Sequence, residues 1–148
     1  MPSTYTSLHY HLVFATKDRL PIIAETWRAR LHDYLGGTVR GLGGTPLGIG
    51  GMADHVHLLV GLTASHCLAD FMRDLKKDAT KWVQAVVPLR EFSWQEGYAA
   101  FTVSPTGLEA VRSYVSQQEE HHRRRTFHDE LVEMLVKSGI TFDEKYLD

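Results

Sequence analysis

Two histidines one residue apart, His55 and His57 in "GGMADHVHLLV", are the residues whose type and spacing first suggest chemistry. On a β-strand, residues i and i+2 project to one face, so two imidazoles placed this way can chelate one divalent metal. The spacing is weak evidence alone: nine histidines among 148 residues give roughly half such a pair by chance. A second pair, His9 and His11, is indeed present. Two ordinary histidines on a half-exposed sheet face would look the same. A metal needs a further ligand, and residues 106–122 offer candidates. There Tyr114, Gln118 and His121, followed by Arg125, recur four, three and four residues apart, one narrow stripe of a helix. Leu108, Val111, Val115 and His122 make the adjacent, more apolar stripe. Tyr114 is either a hydroxyl offered to chemistry or an amphipathic tyrosine packed at a border. Asp54, just before the histidine pair, either shapes a turn or orients His55 from behind.

The elements that must position these residues can be read from periodicity. Residues 7–15 alternate, with Leu8, Tyr10, Leu12 and Phe14 on one face of a strand. Residues 24–36 carry Trp27, Leu31, Tyr34 and Leu35 at helical spacing. Eight of the twelve glycines fall between Gly36 and Gly51; they end that helix and lead into a strand at about 46–51. No GxxxxGK[ST] phosphate loop is present there, so the glycines read as structural punctuation. "MAD" turns the chain into a second strand, 55–61, completing a hairpin. Residues 66–86 form the clearest helix, with an apolar stripe from Leu68 to Val86 and Arg73, Lys77 and Lys81 roughly opposite. A strand follows at 98–103. Thr106 with Glu109 gives a capping-box start to the helix reaching 122, and Thr126 with Asp129 repeats it for a last helix, 127–138, ended by Gly139.

This order predicts an α+β fold: a ferredoxin-like (RRM-like) antiparallel sheet, β-α-β-β-α-β, with two additional C-terminal helices. In that topology the first and third strands are central neighbours, which puts His9 and His11 beside His55 and His57. Helices cover one sheet face, leaving the other open for a partner. The length suits one domain, 1–148. The apolar content of 43% and net charge of −2 are ordinary, so no nucleic-acid partner is announced by overall charge. Basic residues cluster locally, at Arg73, Lys76, Lys77 and Lys81 and again at Arg123, Arg124 and Arg125. These suit phosphate contacts, although a charge stripe opposite an apolar one is usually a solvated face. Trp94 and Tyr98 could stack on bases or pack in the core. The lone cysteine, Cys67, excludes an intrachain disulfide. With no apolar run near the roughly 20 residues of a membrane span and no leader-like N-terminus, a cytoplasmic protein with no membrane partner is expected.

The motifs together resemble a family. "DHVHLL" resembles the histidine–hydrophobic–histidine (HUH) motif of the single-tyrosine transposases of small bacterial insertion sequences, the IS200-like transposases, and "YVSQQ" resembles their Tyr-x-x-x-Gln helix. "YHLVFATK", "LADFMRDLKK", "FSWQEGYAAFTVS" and "YVSQQEEHHRRRTFHDEL" resemble further stretches in the same order. The REP-associated tyrosine transposases, domesticated relatives, share this core. The resemblance implies that His55, His57 and Gln118 hold a divalent metal, magnesium or manganese, and that Tyr114 is the nucleophile. It implies cleavage of single-stranded DNA through a 5′-phosphotyrosine, rejoining of strands, hairpin-containing element ends as substrate, and a homodimer in which the tyrosine helix of one subunit completes the site of the other. His121 could assist with protons, and His11 is a neighbour of the site, not a ligand. Two imidazoles by themselves would favour zinc, copper, nickel or iron over magnesium. Two further readings stay open: a non-catalytic ferredoxin-like module that grips nucleic acid, and a metal-dependent hydrolase that uses water.

Overall fold

A computed structural model describes residues 3–147; Met1, Pro2 and Asp148, the ends of the single domain expected over 1–148, lie outside the described residues. The order is β1 (Leu8–Ala15), α1 (Glu25–Gly41), β2 (Thr45–Gly51), β3 (His55–Leu62), α2 (Leu68–Val86), β4 (Ala99–Thr102), α3 (Leu108–Ser116), α4 (Gln118–His122) and α5 (Phe127–Lys137). The four strands form one antiparallel sheet in the order β2-β3-β1-β4. The expected α+β, ferredoxin-like arrangement is therefore present, with β1 and β3 at the centre.

Strand alternation sorts the side chains onto two faces. Leu12 and Phe14 of β1 and Val56, Leu58 and Val60 of β3 enter the main core, against Leu31, Leu35 and Val39 of α1 and Phe71, Met72, Leu75, Ala79 and Val83 of α2. The odd-numbered set faces the other way. In the β1–β3 register Val13 stands opposite His57 and Ala15 opposite His55, and His11 shares that face.

That second face is not open, as the sequence reading expected. α3 and α4 pack along it, and α5 closes it by setting Phe127, Leu131 and Leu135 on Val13 and Ala15. The physical reason lies in apolar residues of α5 that have no other surface to bury, each able to contribute roughly 1.5–3 kcal/mol on burial.

Two helix boundaries also differ. α1 continues through Gly36 and Gly37 to Gly41. Packing overrides glycine's poor propensity here: Gly36 is buried, and a Cβ on it would sit 3.3 Å from Ile49 Cδ1. Gly43, at φ +86°, follows the end of the helix. The helix expected over 106–122 is broken at Gln117 (φ −108°, ψ 32°) into α3 and α4. Thr106 does not cap α3; its hydroxyl pairs with Ser104 Oγ at 3.1 Å while Gly107 holds the N-cap position. The second expected cap is present, with Asp129 N donating to Thr126 Oγ1 at 3.1 Å.

Candidate functional site

β3 carries His55 and His57 on the face covered by α3–α5, and both are fully buried. The break at Gln117 starts a new helical turn, so Gln118 and His122 of α4 sit one above the other and reach the same point. Gln118 Oε1 lies 3.2 Å from His55 Nε2 and 3.0 Å from His122 Nε2. α5 delivers Glu130, only 3% exposed. Its Oε1 stands 3.0 Å from His57 Nε2, 3.3 Å from His122 Nε2 and 3.7 Å from His55 Nε2. The Tyr114 hydroxyl donates to Glu130 Oε2.

The outer contacts fix how these groups carry their protons. His55 Nδ1 lies 2.7 Å from Asp54 Oδ1, and His122 Nδ1 lies 2.9 Å from the carbonyl oxygen of Arg125. Carboxylate and carbonyl oxygens only accept, so both Nδ1 atoms donate, and in the neutral rings the lone pairs on Nε2 point inward. Gln118 Nε2 donates to the carbonyl of Tyr114 at 3.3 Å, which turns Oε1 inward as well. His57 Nδ1 lies 2.8 Å from His11 Nε2; a proton given to His11 leaves the His57 Nε2 lone pair facing the same point. With the three rings neutral and their protons on Nδ1, the centre gathers more lone pairs than protons, as a bound cation requires; without a cation, His57 and His122 can instead turn an Nε2 proton toward Glu130. The donor atoms of His55, His57, His122 and Glu130 lie within 4.8 Å of one another. Ligands about 2.1 Å from a metal in tetrahedral geometry stand about 3.4 Å apart, so this group could bind a metal.

Titration behaviour reflects the same environment. Burial pushes His57 below the ordinary histidine range, against the pull of Glu130. Burial raises a carboxyl, yet hydrogen bonds from His122, His57 and Tyr114 hold Glu130 far below the usual carboxylate value. Burial would lower His122, but the hydrogen bond and charge of Glu130 carry it above its ordinary value. For Tyr114, burial and the adjacent Glu130 both push the phenol up, so it is a neutral donor in this arrangement.

One consequence is measurable in the metal-free protein. Burial, with the nearby His57, lowers His11 to about 3, and burial with the nearby Arg28 lowers His32 to about 4. Both rings are neutral when folded and take a proton when unfolded below about 6.5. Stability therefore falls as the pH drops through that range. His11 alone accounts for about 2 kcal/mol at pH 5, while His122, shifted the other way, offsets part of the total. We expect denaturant unfolding to give about 2 kcal/mol less stability at pH 5 than at pH 7; equal stability at both would show that these rings are not buried neutral.

The remaining sequence candidates divide by location. Asp54 sits directly behind His55. The His121 ring lies 4.5 Å from that of Tyr114, centroid to centroid. Arg123 and Arg125 lie on the covered face and are exposed, paired with Glu120 and Glu133 respectively; Arg124, between them, is exposed. Lys76, Lys77 and Lys81 lie on α2, across the sheet from Tyr114. Lys76 Nζ is engaged with the carbonyls of Gln95 at 2.6 Å and Gly97 at 2.9 Å. Trp94 is core, edge-on to Phe14 and Phe92. His9 stays outside the cluster, near Ser7. The sequence reading missed Glu130 altogether and left His122 on the apolar stripe. That stripe was the one signal for His122. Glu130, in the first turn of α5, looks like any acid favoured at a helix N-terminus.

The sequence profile of the family described as "Transposase IS200 like" matches residues 4–118. The chain belongs to the IS200-like transposases. The match ends at Gln118, so His122 and Glu130 lie beyond it. No curated protein matches this transposase. Among solved structures, a protein of Deinococcus radiodurans R1 assigned as a transposase is 27% identical, with a TM-score of 0.65 over 78% of this chain and 93% of its own. A REP-associated tyrosine transposase bound to a REP hairpin is 13% identical, with a TM-score of 0.62 over 100% of this chain and 90% of its own; at that identity the likeness concerns the fold. Among the described residues, no helix of the transposase is long and apolar enough to cross a membrane.

Proposed function

We propose that this transposase cleaves and rejoins single-stranded DNA, with Tyr114 as nucleophile and His55, His57 and Gln118 holding a divalent metal. The observation that carries this reading is the single point on which Tyr114, through Glu130, and the three expected ligands converge within one chain. The Tyr114 oxygen attacks the phosphorus of a phosphodiester; the bond from phosphorus to the 3′-oxygen breaks, leaving a 5′-phosphotyrosine and a 3′-oxygen that takes up one proton to become a hydroxyl. A bound divalent metal would neutralise charge developing on the phosphate. Glu130 orients the phenol and is the acceptor at hand for its proton. Asp54 and His11 fix the two ring orientations from behind. A cavity of about 210 Å³ reaches Tyr114 between Val111, Met134, Arg125, Lys137 and Glu133; Arg125 and Lys137 are both paired with Glu133 there, so a phosphate would have to displace that carboxylate to engage them. Since an aryl phosphate ester retains a reactive bond, the 3′-hydroxyl of a second strand can reverse the step without an energy source.

Hairpin-containing element ends are the proposed substrate, and manganese or magnesium the proposed metal. Because Tyr114 meets its own chain's histidines, a homodimer would serve to hold two DNA ends and need not complete the centre. Arg123, Arg124 and Arg125, on the site side, are better placed for DNA than Lys76, Lys77 and Lys81. A domesticated REP-associated enzyme would use the same chemistry. Labelled single-stranded hairpin oligonucleotides, incubated with manganese and resolved under denaturing conditions, should yield a covalent protein–DNA species. If DNA binds with no such species, the nucleic-acid-gripping module is favoured; water-dependent cleavage without it favours the hydrolase.

A further inference from the structure

We propose that the metal centre extends past the three ligands above: His122 and Glu130 are ligands too, and Glu130 bridges the metal and Tyr114 with its two oxygens. This deepens the proposed function and rests on its metal site. His122 gives its Nδ1 proton to the Arg125 carbonyl, so its Nε2 faces Gln118 Oε1 at 3.0 Å and Glu130 Oε1 at 3.3 Å with no proton to offer either while the ring is neutral. Three acceptor atoms held this close in a buried pocket repel one another unless a cation stands between them, either a proton on His122 Nε2 or a metal ion that displaces it. Glu130 is almost wholly buried, and a buried carboxylate is retained where it is paired or bound to metal. Oε1 faces three imidazole nitrogens at 3.0–3.7 Å, while Oε2 takes the Tyr114 hydroxyl. One carboxylate therefore spans the distance from metal to nucleophile.

Three imidazoles and one carboxylate form a donor set that prefers first-row transition metals to magnesium. Gln118, a neutral oxygen, contributes least. The magnesium alternative carried by the family resemblance then becomes the poorer occupant, and manganese the better.

The test uses the full-length protein and metal salts without DNA. Calorimetric titration should show Mn²⁺ bound at least about 100-fold more tightly than Mg²⁺. Glu130→Gln and His122→Ala should each weaken Mn²⁺ binding about 10–100-fold, and Gln118→Ala less than about 3-fold, with Tyr114→Phe nearly unchanged. Nitrogen couplings to bound Mn²⁺, read by pulsed electron paramagnetic resonance, should count three imidazoles in the unaltered protein and two in His122→Ala. The count in the unaltered protein stands even if a variant misfolds. Two imidazoles in the unaltered protein, or Glu130→Gln binding Mn²⁺ as tightly as the parent, would overturn the proposal. A Tyr114-dependent covalent species seen together with that result would leave the proposed function standing. Three imidazoles with no covalent species on any hairpin DNA would do the reverse.

Discussion

Tyr114→Phe is expected to eliminate the covalent protein–DNA species, with residual strand cleavage at least roughly 10³-fold below the parent. The substitution removes one oxygen and leaves the ring, so the packing against His121 and His11 is preserved. The lost group is the one that donates to Glu130. The phenol is held neutral by burial and by Glu130, but its deletion takes a donor from the buried Glu130 carboxylate, so a loss of about 1–3 kcal/mol is expected and cleavage is to be compared where the variant is folded. Unchanged cleavage with an intact fold would assign the chemistry to water and remove the tyrosine from the mechanism. Unchanged Mn²⁺ affinity in the same variant would show that activity was lost at the nucleophile, not the metal.

Gly50→Ala is expected to disturb the cluster from outside it. A Cβ at this position would lie 1.8 Å from the carbonyl oxygen of Val115, an overlap that only backbone movement can relieve. Gly50 pairs with His57 across β2 and β3, so its missing side chain is what lets the end of α3 rest on the sheet beside the histidine pair. We expect a loss of about 3 kcal/mol, a Tm lower by roughly 10 °C, and no covalent species. The fold should survive, because the main core lies on the opposite face. Parent-like stability would mean that α3 does not sit on Gly50. Stability lost with cleavage intact would mean that this contact does not position Tyr114.

The local chain carried much of this arrangement. Alternation in 7–15 and 55–61 placed His11, His55 and His57 on one face, and the topology put β1 beside β3. Tyr114 and Gln118, four residues apart, stayed adjacent through the helix break: one heads α4 and the other lies in the last turn of α3. What the chain did not reveal depends on long-range packing. The break at Gln117 leaves no proline or glycine in the sequence, since it arises where α3 and α4 adapt to the glycine-lined edge of the sheet. The closure of the second face by α5 depends on Phe127 and Leu131 finding Val13 and Ala15, residues more than one hundred positions earlier in the chain. Glu130 acquires its meaning only from that closure. The same docking separated the two basic clusters, leaving the lysines of α2 behind the sheet and the arginines in front.

The position of Glu130 has a consequence for how the protein comes into being. The sheet and the helices behind it are complete once residue 102 has been made, and a nascent chain can bury its main core then. The histidine pair is at that stage half enclosed, with neither its tyrosine nor its carboxylate. Both follow the sheet in the chain, and Glu130 comes later than Tyr114. A chain truncated before α5 would therefore have a sheet whose histidines lack the cover of Phe127 and Leu131 and the carboxylate that links them to Tyr114. The cluster would be closed only after α5 has been made, in a single docking event.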